Sequence, residues 1–263
     1  FSIKLQEYER IIDEVEDYTG KKPIAVFLTH VDYSYGNYSD PKIVGDICKK
    51  RDIPFVLNGA YSVGVLPVNA NKWNVDFITG SGHKSMASSG PIGVLGYKAK
   101  YAETLLAPSK LEGNLSHKTF PGKSFSYLGC PSVYGTPLIT LMASFPDVVE
   151  RTKPENVKME QDKANWLIKQ LLKIDGVEIT GELPKIHPLT NIKLPSFAKV
   201  AETHKRKGFF LREEFVDRGI IGMAPGISKK MKFSVYGLTW DQVKTIKNAF
   251  FDIARKFNIS IEE

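Results

Sequence analysis

The sequence predicts an α/β fold, with a large domain on a mainly parallel sheet followed by a small α+β C-terminal domain. Three observations carry this. Short apolar runs of strand length, at 23–30, 53–58, 76–79 and 91–97, alternate with helical patterns in the first half. These runs are continuously apolar, as in strands buried on both faces of a parallel sheet. Polar and reactive side chains stand at their ends, where open α/β sheets bind ligands.

Each element has its own local signal. Leu5, Tyr8, Ile11, Ile12 and Val15 form the apolar stripe of an amphipathic helix, and Gly20 closes it. The chain opens on Phe1 inside that helix, with no start Met and no signal peptide, and reads as N-terminally truncated. Asp40-Pro41 is an N-cap followed by proline at the first helical position, which opens a helix to about Arg51. The third strand ends in Gly80-Ser81-Gly82-His83-Lys84. From 101 to 137 the chain is rich in Gly, Ser and Pro, and so long an irregular stretch is more often functional than filler. Helices follow at 136–149 and 156–173, the second carrying Trp166, Ile168, Leu171 and Leu172. Beyond Gly176 come strands at 177–179 and 190–194, a helix at 207–218, a strand at 232–235 and a closing helix at 240–257. Residues 1–150 then form the large domain and 151–263 the small one.

Composition narrows the class. With 263 residues, 42% of them hydrophobic, the chain is too long and too apolar to be a disordered tail or a disulfide-stapled miniprotein. No window reaches the roughly 18 consecutive apolar residues of a membrane span. Cys48 and Cys130 are too few for a disulfide framework or a four-cysteine zinc site, so no metal centre is expected and the expected compartment is a reducing cytoplasm. The net charge of +7 gives a mild attraction for polyanions. Basic clusters at 49–51, 205–207 and 229–232 fit either solvated helix ends or an RNA footprint.

The sharpest chemical feature is Ser81-Gly82-His83-Lys84, directly after a buried strand. A lysine there, among small residues, sits in a partly desolvated cleft where its pKa falls and its amine becomes available for a Schiff base. A solvated turn is the bland alternative. Asn58-Gly59-Ala60-Tyr61 ends the preceding strand about 26 positions earlier.

Together these motifs resemble the fold-type I pyridoxal-phosphate enzymes, in the branch that holds cysteine desulfurases and class V aminotransferases. The resemblance covers nearly the whole chain. It implies pyridoxal 5'-phosphate as cofactor, with Lys84 as its Schiff-base lysine and Asn58, Tyr61, Ser81 and His83 around it. Gly135-Thr136-Pro137 resembles the step at which Thr136 would reach across a homodimer to the neighbouring subunit's cofactor phosphate. Lys232-Phe233-Ser234-Val235, with Thr239 opening the last helix, resembles the family's Arg-x-Ser strand of the small domain.

Two departures bear on the substrate. Asn58 stands where relatives put an Asp on the pyridine nitrogen, and a neutral amide leaves a weaker electron sink that suits elimination. Lys232 stands where they use Arg to fork onto a free carboxylate, and lysine cannot make that fork. A substrate lacking a free carboxylate, such as an amino acid esterified to tRNA, follows; a looser carboxylate contact is the alternative.

The run His30-Val31-Asp32-Tyr33-Ser34-Tyr35-Gly36-Asn37-Tyr38, with Asn58-Gly59-Ala60-Tyr61, resembles the archaeal tRNA-dependent cysteine-forming branch. That resemblance implies β-elimination of phosphate from phosphoserine carried on the cysteine tRNA, then addition of sulfur from a sulfur donor. It further implies a homodimer and a phosphoseryl-tRNA synthetase partner. Lys84 would be the base, His83 and His30 would serve positioning or proton transfer, and Cys130 would carry a persulfide, which needs an exposed thiolate of lowered pKa. Cys48, inside an amphipathic helix, reads as core. The expected RNA surface combines Lys205-Arg206-Lys207, Lys229-Lys230 and the 110–123 loop. The rivals are a cysteine desulfurase or lyase acting on free amino acids, and a non-catalytic subunit that binds tRNA or a partner.

Overall fold

Apolar runs in the first half assemble a four-stranded sheet in the computed structural model, which describes residues 3–110, 112, 135–224 and 226–262. The strands are β1 (Val26–Thr29), β2 (Phe55–Asn58), β3 (Phe77–Ser81) and β4 (Gly93–Tyr97), adjacent in that order. β1 pairs with β2 and β2 with β3 in parallel, whereas β4 runs antiparallel to β3. The link between β3 and β4 is too short for the crossover a parallel pair needs.

Helices α1 (Glu7–Thr19) and α2 (Pro41–Arg51) cover the face that Val26 and Leu28 turn inward. Asp40 caps α2 by accepting from the Lys42 amide at 2.9 Å, with Pro41 behind it, as its sequence predicts. Leu28, Phe55 and Leu57 are fully buried in this core, each contributing about 1.5–3 kcal/mol. Gly45 has no room for a side chain, because a Cβ there would lie 1.8 Å from the Trp73 carbonyl oxygen. The expectation that β1 is buried on both faces is corrected. Phe27 in β1 is 56% exposed, because among the described residues α1 and α2 cover only the opposite face, and Ile24, 94% exposed, lies before the strand.

Asp76, just before β3, fastens three strands. Its carboxylate accepts from the Phe55 amide at 3.0 Å and faces the ammonium groups of Lys98 at 3.1 Å and Lys100 at 3.5 Å. Burial works against its ionisation, but the Phe55 amide, Lys98 and Lys100 outweigh burial and hold its pKa below the ordinary value. The folded state therefore binds fewer protons than the unfolded one near that pKa. Its stabilisation is complete above the unfolded-state pKa and is lost as pH falls through the folded one. Asp76→Ala is expected to cost about 2–3 kcal/mol, since the buried Phe55 amide loses its acceptor. Urea unfolding of both proteins at neutral and acid pH checks this, the difference shrinking in acid.

By contact, the described residues divide into two units: those of 4–30 with 39–152, and those of 31–38 with 153–262 and residue 3. The first unit also holds α3 (Ala102–Leu106) and α4 (Gly135–Arg151). In the second, β5 (Glu178–Thr180), β6 (Leu189–Lys193) and β7 (Lys230–Ser234) form an antiparallel sheet in that order. Around it stand α5 (Pro154–Leu171), α6 (Pro195–Thr203), α7 (Phe210–Val216) and α8 (Trp240–Lys256). Leu167, Leu171, Ile192, Phe197, Phe210, Phe215 and Phe250 make its core. The capping box of Thr239 and Gln242 opens α8. The helix expected at 207–218 is shorter, a 3-10 turn at Lys207–Phe209 leading into α7, and α6 was not anticipated.

The 31–38 loop is built into the second unit. Asp32 accepts from the amides of Ser34, Tyr35 and Asn37 at 2.8, 2.7 and 2.8 Å. Lys185 Nζ donates to the Tyr35 carbonyl at 2.7 Å, Asn191 Nδ2 to the Ser34 carbonyl at 3.0 Å, and the Glu182 amide to Asn37 Oδ1 at 2.8 Å. Gly36, at φ +68°, admits no other residue, because a Cβ would lie 2.3 Å from the Leu189 carbonyl oxygen. Among the described residues no helix is long and apolar enough to cross a membrane.

Candidate active site

Parallel pairing aligns Thr29 with Asn58 and Asn58 with Thr79, so His30, Asn58 and Gly80-Ser81 share the carboxyl edge of three strands. At that edge the chain turns tightly after β2. The Gly59 amide donates to the Thr79 carbonyl at 2.8 Å, and a Cβ on Gly59 would lie only 2.8 Å from that same oxygen. Ser62 and Val63 donate back to the Gly59 carbonyl at 3.0 and 2.9 Å and close the turn.

His30 is fully buried. Its Nδ1 shares a hydrogen bond with Ser62 Oγ at 2.7 Å, and its ring meets Trp73 edge-on with centroids 5.2 Å apart. Such a ring fixes the β1 end against the turn after β2. Asn58 Oδ1 accepts from the Ala60 amide at 3.1 Å. A backbone N–H meets only an acceptor, so this bond sets the amide orientation and leaves the Asn58 NH₂ as a donor.

Lys84 follows β3. Its Nζ sits 4.1 Å from the centre of the Tyr61 ring, a cation–π contact that joins the two motifs singled out in the sequence. Lys84 and His83 are exposed, which corrects the expectation of a desolvated lysine: the small side chains that follow it offer little area to cover it. Ser81 Oγ and His83 Nδ1 share a hydrogen bond at 3.3 Å.

The loop carrying Lys84 is tied down by groups other than its own side chain. The Gly82 amide donates to the Ile92 carbonyl and the Ser88 amide to the Gly82 carbonyl, both at 2.8 Å. Ser88 Oγ donates to the Pro137 carbonyl at 2.8 Å and the Ser89 amide to Thr140 Oγ1 at 3.0 Å, so the loop is fastened to the first turn of α4, where Thr136 stands exposed.

Lys232 lies in the second unit, exposed on β7, with its Nζ 3.1 Å from the centre of the Tyr33 ring. Tyr33 was not among the residues the sequence pointed to as functional; the tyrosine spacing 33, 35, 38 behind Asp32 was the available signal. Cys130 lies outside the described residues, as does most of the 110–123 loop. Cys48 is buried, and burial, with Asp76 adding to it, pushes its thiol up to about 11, which leaves it unreactive near neutral pH.

Comparisons with known proteins fit this arrangement. The family model described as Aminotransferase class-V matches residues 2–208. The chain is 43% identical over 263 residues to O-phospho-L-seryl-tRNA:Cys-tRNA synthase 2 of Archaeoglobus fulgidus, covering 100% of this chain and 67% of the relative. It is 42% identical over 253 residues to the O-phospho-L-seryl-tRNA:Cys-tRNA synthase of Methanocaldococcus jannaschii, covering 96% and 64%. Among solved structures, the SepCysS-SepCysE N-terminal domain complex matches with a TM-score of 0.85 at 41% identity, over 98% of this chain and 66% of that one. The apo cysteine desulfurase of Thermococcus onnurineus NA1, at 17% identity and a TM-score of 0.67 over 97% of this chain and 64% of that one, shares the fold. The chain thus spans about two thirds of the length of these relatives.

Proposed function

The chain belongs to the aminotransferase class-V family, and from that premise we propose that it converts O-phosphoseryl-tRNA(Cys) to cysteinyl-tRNA(Cys) with pyridoxal 5'-phosphate. One observation carries the reading: the Lys84 amine rests on Tyr61 at the strand edge where Asn58 keeps an amide donor. The 43% identity to the Archaeoglobus fulgidus synthase supports the choice of substrate.

The donor set suits this cofactor. Lys84 offers the primary amine, Asn58 an N–H for the pyridine nitrogen, Ser81 and His83 polar groups beside the strand end, and Tyr61 an aromatic face. When bound, the cofactor supplies an electron sink for the charge left on the substrate α-carbon. Asn58 would offer its NH₂ to the pyridine nitrogen and, as a neutral amide, would leave that nitrogen unprotonated. The weaker sink suffices for elimination, where phosphate departs as the charge develops.

Lys84 would hold the cofactor through its amine and, when that amine is free, would take the substrate α-proton. Phosphate leaves the β-carbon, giving a dehydroalanyl ester on the tRNA. Hydrosulfide adds to the β-carbon and Lys84 returns the proton to the α-carbon, so the net change exchanges phosphate for sulfide. Cys130 carries that sulfur as a persulfide, and an external thiol reductant supplies the two electrons that release it as sulfide. His30 positions the turn after β2. Lys232 meets the aminoacyl end with a single ammonium, which disfavours free amino acids that need a carboxylate fork.

The unit of residues 4–30 and 39–152 acts as the cofactor domain, and the unit of residues 31–38 and 153–262 as the small domain of a cytoplasmic homodimer, in which Thr136 would contact the cofactor phosphate of the second copy. In α4, Leu138, Met142, Phe145 and Val149, spaced as one helical stripe and 36–66% exposed, supply the apolar face for that copy. A phosphoseryl-tRNA synthetase delivers the substrate. The test is the visible absorbance band of the cofactor-loaded full chain, titrated with phosphoseryl-tRNA(Cys) and, separately, with free phosphoserine and free cysteine. The expected result is a band perturbed by the charged tRNA alone. A response to free cysteine reassigns the chain to the desulfurases, and the absence of a band leaves a binding subunit.

A further inference from the structure

Resting on the tRNA-dependent reading, we propose that the exposed edge of β7, the turn at 205–208 and Tyr33 form a track for the single-stranded acceptor end of the tRNA. Two basic clusters far apart in sequence are brought together here. Ser228 Oγ donates to the Gly208 carbonyl at 2.8 Å, and a Cβ on Gly208 would meet Gly226 Cα at 4.0 Å. Lys205, Arg206 and Lys207 therefore lie beside the segment that runs into Lys229 and Lys230, and all five side chains are exposed.

The strand carries the charge onward. In β7, Met231 points into the core while Lys230 and Lys232 stand outward on one face, about 6.6 Å apart at two residues of rise. The row ends at Tyr33, 64% exposed, with the Lys232 ammonium on its ring. Because Asp32, Lys185 and Asn191 hold the 31–38 loop by the bonds described above, the ring is offered without an ordering cost.

Among the described residues, the local carboxylates engage Arg206 but leave the lysines flanking it in the row unpaired by ion pairs. Glu213 takes Arg206 at 3.1 Å and Glu178 takes Lys193 at 3.1 Å. Among the described residues no ion pair engages Lys205, Lys207, Lys229 or Lys230. A line of cations leading to one stacking ring is what a single strand needs: phosphates for the lysines and a base face for the tyrosine. A folded acidic protein would have no use for the ring at the end of the line.

The test measures full-chain binding to a tRNA(Cys) transcript, and to the same transcript without its single-stranded 3' tail, across a salt series. Lys205→Gln/Lys207→Gln and Lys229→Gln/Lys230→Gln should each raise Kd about tenfold and flatten the log–log salt slope by about 1.4, roughly 0.7 for each phosphate left without its lysine. Tyr33→Leu should weaken binding of the intact transcript about tenfold, Tyr33→Phe should restore it, and neither should alter binding of the tail-less one. Unchanged Kd and slope in both lysine pairs, or a Tyr33→Leu penalty that persists without the tail, overturns the track. If the parent chain itself binds neither transcript, the tRNA-dependent reading fails and the track with it.

Discussion

Lys84→Ala loses the cofactor's visible band and at least about 10³-fold in turnover, while the protein unfolds at nearly the parent denaturant concentration. The two halves of this expected result have separate causes. On the proposed reading one amine both carries the cofactor and moves the α-proton, and a methyl group replaces neither role, so the chemistry should collapse. The fold, by contrast, scarcely uses the side chain. Lys84 is exposed, and its loop is held by the Gly82–Ile92 and Ser88–Gly82 backbone bonds and by Ser88 Oγ on the Pro137 carbonyl. What stability loses is one cation–π contact with Tyr61, about 0.5–1 kcal/mol at an exposed site. Lys84→Arg keeps the charge over the ring but not the nucleophile, and should fail in chemistry while matching the parent in stability. Retention of the band in either variant would remove Lys84 from the cofactor.

Much of this edge was legible in the sequence because strand ends are punctuated. An apolar run that stops at Asn58-Gly59 or Gly80-Ser81 marks the carboxyl edge, and parallel register then brings the two together without further information. Asp40-Pro41 and Thr239 announced their helices because caps are local chemistry. Elsewhere the determinants are not local. Continuous apolarity in β1 did not reveal that Phe27 faces outward, since exposure depends on what packs against the sheet. The antiparallel sense of β4 was readable only from the short 82–92 link. α6 begins at Pro195 directly after the β6 run, and the two apolar patterns merged. The 31–38 loop was recognisable as a motif, but its purpose lies in bonds to Glu182, Lys185 and Asn191, about 150 positions away, which no spacing rule connects.

A second large effect is expected in the small sheet's support, from a charge that the fold has buried. Glu160→Ala should destabilise the second unit by about 3–5 kcal/mol, the cost of leaving a buried ion without its partner. Lys163 is 2% exposed and donates to Glu160 Oε1 at 2.7 Å and to the Leu238 carbonyl, while the Gly237 amide donates to Glu160 Oε2 at 3.1 Å. The pair therefore staples α5 to the turn between β7 and α8. Glu160→Met/Lys163→Leu removes both charges and fills the space, so it should recover most of the loss, short of about 1–3 kcal/mol for the backbone groups at Gly237 and Leu238 that lose partners. Urea unfolding of Glu160→Met, of Lys163→Leu and of the double gives the coupling directly. A single-variant cost below about 1 kcal/mol would mean that water reaches the pair and that the staple is nominal. Because Gly237 stands three residues beyond the end of β7, loosening this turn should also weaken tRNA binding in Glu160→Ala, and the double variant should restore it along with stability.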